Sequence, residues 1–162
     1  KTPRYVPHGA KGQARYPFGH GLSYTTFEYY DLKITPSKVR AGGSVRISAT
    51  VRNTGKGAGA EVVQLYVNDV IGSVVWPVKE LKGFTKVALA PGRTKRVEFE
   101  LDTQLVAFTN AAMQLVIEAG RFDVFLGASA EDIRLRGSFD VQGTRAIASR
   151  KVFFSGVTIT KA

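Results

Sequence analysis

Apolar and polar residues alternate in short segments along most of the chain. The clearest segment is Ser44–Asn53, in which every second residue from Val45 to Val51 is apolar. A period of two over this length is typical of a half-buried β-strand. The same pattern predicts further strands, with a helical turn or a bend over Asp102–Thr109. The predicted strands are Phe27–Pro36, Ser44–Asn53, Glu61–Asp69, Leu81–Leu89, Arg96–Leu101, Met113–Glu118, Gly120–Gly127 and Ile133–Val141.

The segment Glu61–Asp69 differs from the other strands because it carries apolar side chains on both faces. A strand of this kind is central in its sheet or covered on both sides. Turn residues separate the strands, as in Ala90–Arg93, where Pro91 suits a β-turn. About eight short strands without a long helix predict an all-β fold, an antiparallel two-sheet β-sandwich. A closed barrel fits less well because the strands and loops are uneven in length.

The two ends of the chain lack this regular alternation. We expect residues 1–26 to form an extended linker or docking arm, because they begin with a stretch rich in proline, glycine and basic residues. Residues 27–142 are the predicted sandwich. Residues 143–162 are an expected C-terminal extension that packs with a short strand, since Val152–Phe154 is too apolar for a free tail. The chain begins at Lys1 rather than methionine, so we expect it to continue upstream, where any signal peptide would lie.

Composition narrows the possible chemistry. The 162 residues include no cysteine and only two histidines, His8 and His20, which excludes disulfides, thiolate metal sites and sites built on several histidines. No apolar run approaches the roughly 20 residues that span a bilayer, so no membrane partner is predicted. The net charge of +10 raises the possibility of an anionic partner. The basic residues are scattered without interleaved aromatic residues, so nucleic acid is not an expected partner.

No convincing catalytic group emerges from the sequence. Glu98 and Glu100 lie two residues apart on one strand, on the side opposite its apolar residues, so a solvated sheet face explains them better than a glycosidase pair. His20 lies three residues before Ser23, but no nucleophile elbow surrounds them. Gly19-His20-Gly21 does not complete a phosphate-binding motif. We therefore predict no catalytic residue, no metal and no cofactor in this chain.

Trp76 lies in the loop-like stretch Gly72–Pro77. A tryptophan in a loop can stack on a sugar ring or on lignin, or it can pack against the sandwich or a neighbouring domain. The docking or packing interpretation is favoured, and Trp76 is a candidate for contact with a polymer or an interface.

Four motifs occur in an order that resembles the C-terminal fibronectin type III-like domain of glycoside hydrolase family 3, the family of β-glucosidases and β-xylosidases. The first motif is highly specific, and the others are specific in combination. The family often has arginine where this chain has Trp76. The four motifs are Tyr16–Phe27 (YPFGHGLSYTTF), Glu61–Tyr66 (EVVQLY), Pro77–Phe84 (PVKELKGF) and Asp132–Phe139 (DIRLRGSF).

The resemblance implies a fibronectin type III-like sandwich that stabilises and docks onto the catalytic domains of a secreted or periplasmic, retaining β-glucosidase-like enzyme. Those domains would lie elsewhere, so the chain itself is expected to be non-catalytic. Binding of lignin or a polysaccharide, motivated by the charge and Trp76, is the alternative, and binding of nucleic acid or an anionic surface, argued from charge alone, comes third. The candidate interdomain docking residues are Tyr16, Pro17, Phe18, Gly19, His20, Gly21, Leu22, Ser23 and Tyr24.

Overall fold

The computed structural model describes residues 15–70, 79–147 and 153–161. In this part of the chain the only helix is a single 3-10 turn over Thr103–Val106, and no helix is long and apolar enough to cross a membrane. The strands are β1 (Phe27–Thr35), β2 (Lys38–Arg40), β3 (Ser44–Asn53), β4 (Gly59–Asp69), β5 (Glu80–Leu89), β6 (Thr94–Asp102), β7 (Phe108–Thr109), β8 (Leu115–Ile117), β9 (Gly120–Gly127), β10 (Ile133–Gln142), β11 (Arg145–Ala146) and β12 (Gly156–Lys161).

These strands form two large sheets and one small one. The four-stranded sheet has the order β1-β3-β6-β12, and the five-stranded sheet has the order β2-β10-β9-β4-β5. All neighbours are antiparallel except β2 and β10. The predicted all-β sandwich is confirmed. The short strands β2, β7 and β11 were not predicted, because two or three residues are too few to show a period, and so only β8 of the small sheet β11-β8-β7 lies in a predicted strand.

The core lies between the two large sheets and consists of the residues that alternate along their strands. Val45, Ile47 and Val51 of β3 are completely buried, and so are Phe99 and Leu101 of β6. They belong to one cluster with the inward residues of β4, β5, β9 and β10. The hydrophobic alternation therefore identified the inner face of these strands correctly.

The outer face of β3 departs from simple alternation. Ser48 and Thr50 are buried although they point away from the core, because the Arg96 guanidinium from β6 lies over them and donates to Ser48 Oγ at 2.7 Å. The same guanidinium bonds the Asp31 carboxylate at 2.6 Å. Asp31 lies at a bulge in β1 with φ +54°, and its hydrogen bond to Arg96 holds the pKa of its carboxyl below the usual range.

Six of the eight predicted strands differ from the observed ones by one or two residues at one or both ends. The strand predicted over Met113–Glu118 covers only Leu115–Ile117, because Met113 has φ +59° in a turn that is held by the Asn110 side chain. The first strand ends at Thr35, one residue before the predicted Pro36.

The C-terminal segment extends one sheet and crosses to the other. β12 pairs with β6 along its length, from Gly156 opposite Glu100 to Lys161 opposite Lys95. Just before β12, Ser155 N–H donates to the Lys82 carbonyl of β5 at 2.8 Å. The Ser155 hydroxyl is buried against Gly83 without a hydrogen-bond partner in the described part of the chain. This segment closes the side of the sandwich where β12 is the edge of one sheet and β5 is the edge of the other.

We expect Gly83→Ala to destabilise the chain by about 1–3 kcal/mol. The added Cβ would meet Ser155 Oγ and would lie 3.0 Å from Phe99 Cδ1. Urea unfolding measures the loss, and Gly57→Ala is the matched control because no heavy atom lies within 4 Å of its added methyl group. Adding Ser155→Gly to Gly83→Ala should recover part of the stability. Equal stability of Gly83→Ala and Gly57→Ala would contradict the close packing of Ser155 against Gly83.

Candidate interdomain docking site

Residues 16–26, called the arm below, run across the sandwich without forming a helix or a strand. It begins with a turn in which His20 N–H donates to the Pro17 carbonyl at 3.1 Å. Gly19 has φ +78° in this turn, a conformation that glycine adopts without strain. The Tyr16 and His20 rings stack with centroids 5.1 Å apart, so the turn is compact.

The first attachment of the arm is to the outer face of β4. The Gln64 amide donates to the Gly19 carbonyl at 3.0 Å and to the Ala128 carbonyl at 2.6 Å, and its oxygen accepts from Tyr66 Oη at 2.5 Å. Beside it, Ala130 N–H donates to the Phe18 carbonyl at 2.9 Å. Gln64 and Tyr66 are buried, which explains why β4 carries large side chains on both faces. The arm therefore covers the outer face of β4, as expected for a strand that carries large side chains on both faces.

The second attachment is at the end of β3. Asn53 is completely buried, and its oxygen accepts from Thr25 Oγ1 at 2.8 Å and from Gly55 N–H at 3.0 Å. Its amide donates to the Gly57 and Leu89 carbonyls. One side chain therefore joins the arm to the β3–β4 loop and to β5.

A third contact holds the residue where the arm enters β1. Arg134 of β10 donates to the Phe27 carbonyl at 3.0 Å. Its other nitrogens bond both carboxylate oxygens of Asp132, which lowers the pKa of that carboxyl, and its guanidinium lies over the Tyr29 ring. The carboxylate and the ring orient Arg134 toward the arm.

Between these attachments the arm forms a loop over His20–Tyr24, called the arm loop below. Leu22 is 93% exposed and Tyr24 is fully exposed. No neighbouring atom lies within 4 Å of a Cβ added to Gly21. The loop is therefore fixed at both ends by backbone and side-chain hydrogen bonds, while its own large side chains contact little of the sandwich.

A groove with a volume of about 560 Å³ lies between the arm and the sheet. Its apolar walls include Phe18 and Leu22 from the arm and Phe84 from the outer face of β5. At one end lies Glu61, which accepts a hydrogen bond from Tyr29 Oη at 2.9 Å. Burial raises the pKa of Glu61, and burial together with the Glu61 charge raises the pKa of Tyr29, so Tyr29 remains a donor near neutral pH.

The candidate docking residues Tyr16–Tyr24 form one continuous segment on the sandwich. The other residues singled out in the sequence do not join them. Trp76 lies outside the described residues. Glu98 and Glu100 lie on β6 of the opposite sheet, away from the groove. In the described ranges no group of three or more histidines and carboxylates is placed to hold a metal ion.

Sequence reasoning missed the residues that hold the arm, namely Gln64, Asn53 and Arg134. Each reads as an ordinary surface or turn residue in its own segment. A signal was present in β4, where Gln64 lies between valine and leucine in a strand without a polar face. A polar residue in such a position needs a buried partner.

Glu61→Gln should change the pH dependence of stability. The folded-state pKa of Glu61 lies above its ordinary 4.5, so ionisation costs folding free energy as pH rises through the folded value. Glutamine keeps an acceptor for Tyr29 and removes this loss. The stability of Glu61→Gln relative to the parent should therefore increase from about pH 4 to about pH 7, measured by urea unfolding. Glu28→Gln, an exposed change on β1, is the control, and a pH-independent difference for Glu61→Gln would contradict the prediction.

Comparison with known proteins gives this architecture a family. Residues 61–130 match the fibronectin type III-like domain. Thermostable β-glucosidase B of Acetivibrio thermocellus is 46% identical over 94% of this chain, and a periplasmic β-glucosidase of Salmonella typhimurium is 44% identical over 78% of it. The crystal structure of a Listeria innocua β-glucosidase in complex with glucose matches 88% of the chain with a TM-score of 0.77 and 40% identity.

The chain spans only a small part of these proteins, namely 20% of the Acetivibrio enzyme, 16% of the Salmonella enzyme and 20% of the Listeria chain. The match includes the sandwich, and for the Acetivibrio enzyme it extends over 155 residues. The chain therefore belongs with the fibronectin type III-like domains of glycoside hydrolase family 3 β-glucosidases and β-xylosidases.

Proposed function

We propose that this chain is a non-catalytic accessory module of a larger β-glucosidase-like hydrolase, and that the arm docks it onto the catalytic domains. The observation that carries the proposal is the arm loop, which is anchored at Gln64 and Asn53 yet exposes Leu22 and Tyr24 almost completely. Exposed apolar side chains on an ordered loop are the usual form of an interface anchor.

The energetics of the arm loop favour docking. Full burial of a leucine or an aromatic side chain contributes about 1.5–3 kcal/mol. A loop that is already fixed in the free module loses little additional conformational entropy when it binds. Leu22 and Tyr24 together therefore supply enough free energy to hold a covalently linked neighbour, for which no translational entropy is lost.

The groove supports the non-catalytic part of the proposal. Its carboxylates are committed to structure, since Asp132 is paired with Arg134 and Glu61 accepts from Tyr29. Retaining hydrolysis needs two carboxyl groups that face each other across a bound sugar, and these two are engaged with their own neighbours. The relative named as a periplasmic β-glucosidase supports a periplasmic or secreted location for the whole protein.

The docking proposal is tested by comparing two contexts. In the full-length protein, Leu22→Ala with Tyr24→Ala should lower the melting temperature by several degrees, because the interface loses buried apolar area. In the 162-residue chain the same changes should leave the melting temperature within about a degree, because both side chains are solvent-exposed.

Tyr30→Ala is the matched control, since Tyr30 is an exposed aromatic residue on β1. Equal melting temperatures for the arm variant and the parent in the full-length protein would refute docking through the loop. The 162-residue chain should hydrolyse no aryl β-glucoside, and turnover by a pure sample would refute the non-catalytic assignment.

Binding of lignin or a polysaccharide is the second candidate function, favoured by the exposed rings of Tyr16, Phe18 and Tyr24 on a chain with net charge +10. If it operates, the 162-residue chain should be retained on insoluble lignin or cellulose at low salt. Tyr24→Ala and Trp76→Ala should each reduce retention, with Tyr30→Ala as the control. Absence of retention at low salt would eliminate this candidate.

A further inference from the structure

We propose that an oxyanion, the carboxylate, sulfate or phosphate group of a ligand, binds in a cavity at the β5–β6 end of the sandwich. The cavity has a volume of about 570 Å³ and shares no lining residue with the arm groove. Its walls are the end of β5, the β5–β6 turn, the start of β6 and the last residue of β12. The charged residues that line it are Arg93, Lys95 and Lys161, and all three are cations.

The strand register forces two of these cations together. Lys161 of β12 lies directly opposite Lys95 of β6, and directly opposite residues on antiparallel strands share a face. That face also carries Val97 and Ile159, which are paired two residues further along. Like charges in directly opposite positions destabilise a sheet. The β6–β12 seam therefore contains a repulsion that a bound anion would remove.

Ion pairs neutralise some of the other cations of the molecule. Several lysine and arginine side chains have carboxylate partners, namely Lys33, Lys82, Arg96, Arg121 and Arg134. Within the described ranges, Arg93, Lys95 and Lys161 form no ion pair. Among the described residues, no carboxylate lines their cavity. A concave surface lined with charge of a single sign concentrates ions of the opposite sign.

The backbone that carries Arg93 is rigid. Arg93 N–H donates to the Ala90 carbonyl at 3.1 Å, which closes the turn, and Gly92 has the φ of +72° that the third position of a type II turn requires. The Arg93 carbonyl accepts from Asn53 N–H at 3.0 Å, and Gly92 N–H donates to the Asn53 carbonyl at 2.9 Å. The cavity is thus preformed at the turn, and a guanidinium in such a position suits the planar geometry of an oxyanion.

The site links anion binding to the position of β12, because one of its three cations belongs to that strand. An anion between Lys95 and Lys161 would stabilise the pairing of β12 with β6. Sulfate should therefore raise the melting temperature of the 162-residue chain more than sodium chloride does at equal ionic strength. The NMR amide signals of Arg93, Lys95 and Lys161 should shift with a saturable dependence on sulfate concentration.

Two substitutions make the test specific. At low ionic strength without an oxyanion, Lys161→Gln should match or exceed the parent in melting temperature, because it removes the like-charge pair. In the presence of sulfate, Lys161→Gln and Lys95→Gln should bind about fivefold more weakly than the parent. Lys38→Gln is the control, because Lys38 is an exposed lysine on β2, at the far edge of the other sheet.

Separate titrations with sodium phosphate, sodium acetate and an oligogalacturonate distinguish an inorganic anion from a carboxylate ligand. Saturable binding of any of them that the two cavity variants weaken and Lys38→Gln does not would support the site. Non-saturating shifts, or shifts equally large in the cavity variants and in the control, would overturn it. A lower anion-free melting temperature for Lys161→Gln than for the parent would overturn the proposed repulsion.

Discussion

The position of the arm depends on the hydrogen-bonding demands of one buried amide. Gln64 lies on the outer face of β4, an interior strand of its sheet, and is buried. Its two N–H groups and its oxygen all have partners, and one of those partners is the arm backbone at Gly19. Leaving a buried amide unpaired costs about 1–3 kcal/mol. The arm therefore stabilises the fold by satisfying one N–H group of the Gln64 amide. The described part of the arm is therefore held against the sandwich by its own backbone.

The groups of the arm that bond to the sandwich are different from the side chains that the arm exposes. The backbone of Phe18 and Gly19 and the side chain of Thr25 bond the sandwich, while the side chains of Leu22 and Tyr24 are almost completely exposed. Because the atoms that hold the loop differ from those it displays, the displayed side chains can change without loss of the fold. Arg134 and Asp132 secure the arm at its junction with β1 in the same way.

The fold could be predicted well because its core follows a simple rule. Alternation in Ser44–Asn53 and Arg96–Leu101 identified the inner faces, since the apolar residues of β3 and β6 are those that face the opposite sheet. Alternation carries no information about which polar residues are buried. Asn53 reads as a turn residue, and the apolar neighbours of Gln64 indicate only that it needs a buried partner, because the partners Thr25 and Gly19 are distant in the chain. The basic cavity was equally hidden, because it depends on a register that places Lys161 beside Lys95.

The seam at Ser155 and β12 has a consequence for the order in which the chain assembles. β6 is synthesised well before β12, so during synthesis one edge of β6 has no strand beside it. A bare strand edge is a template for pairing with other chains, and contacts between distant segments form slowly. A nascent module is therefore most prone to aggregate in the interval between the emergence of β6 and the arrival of β12.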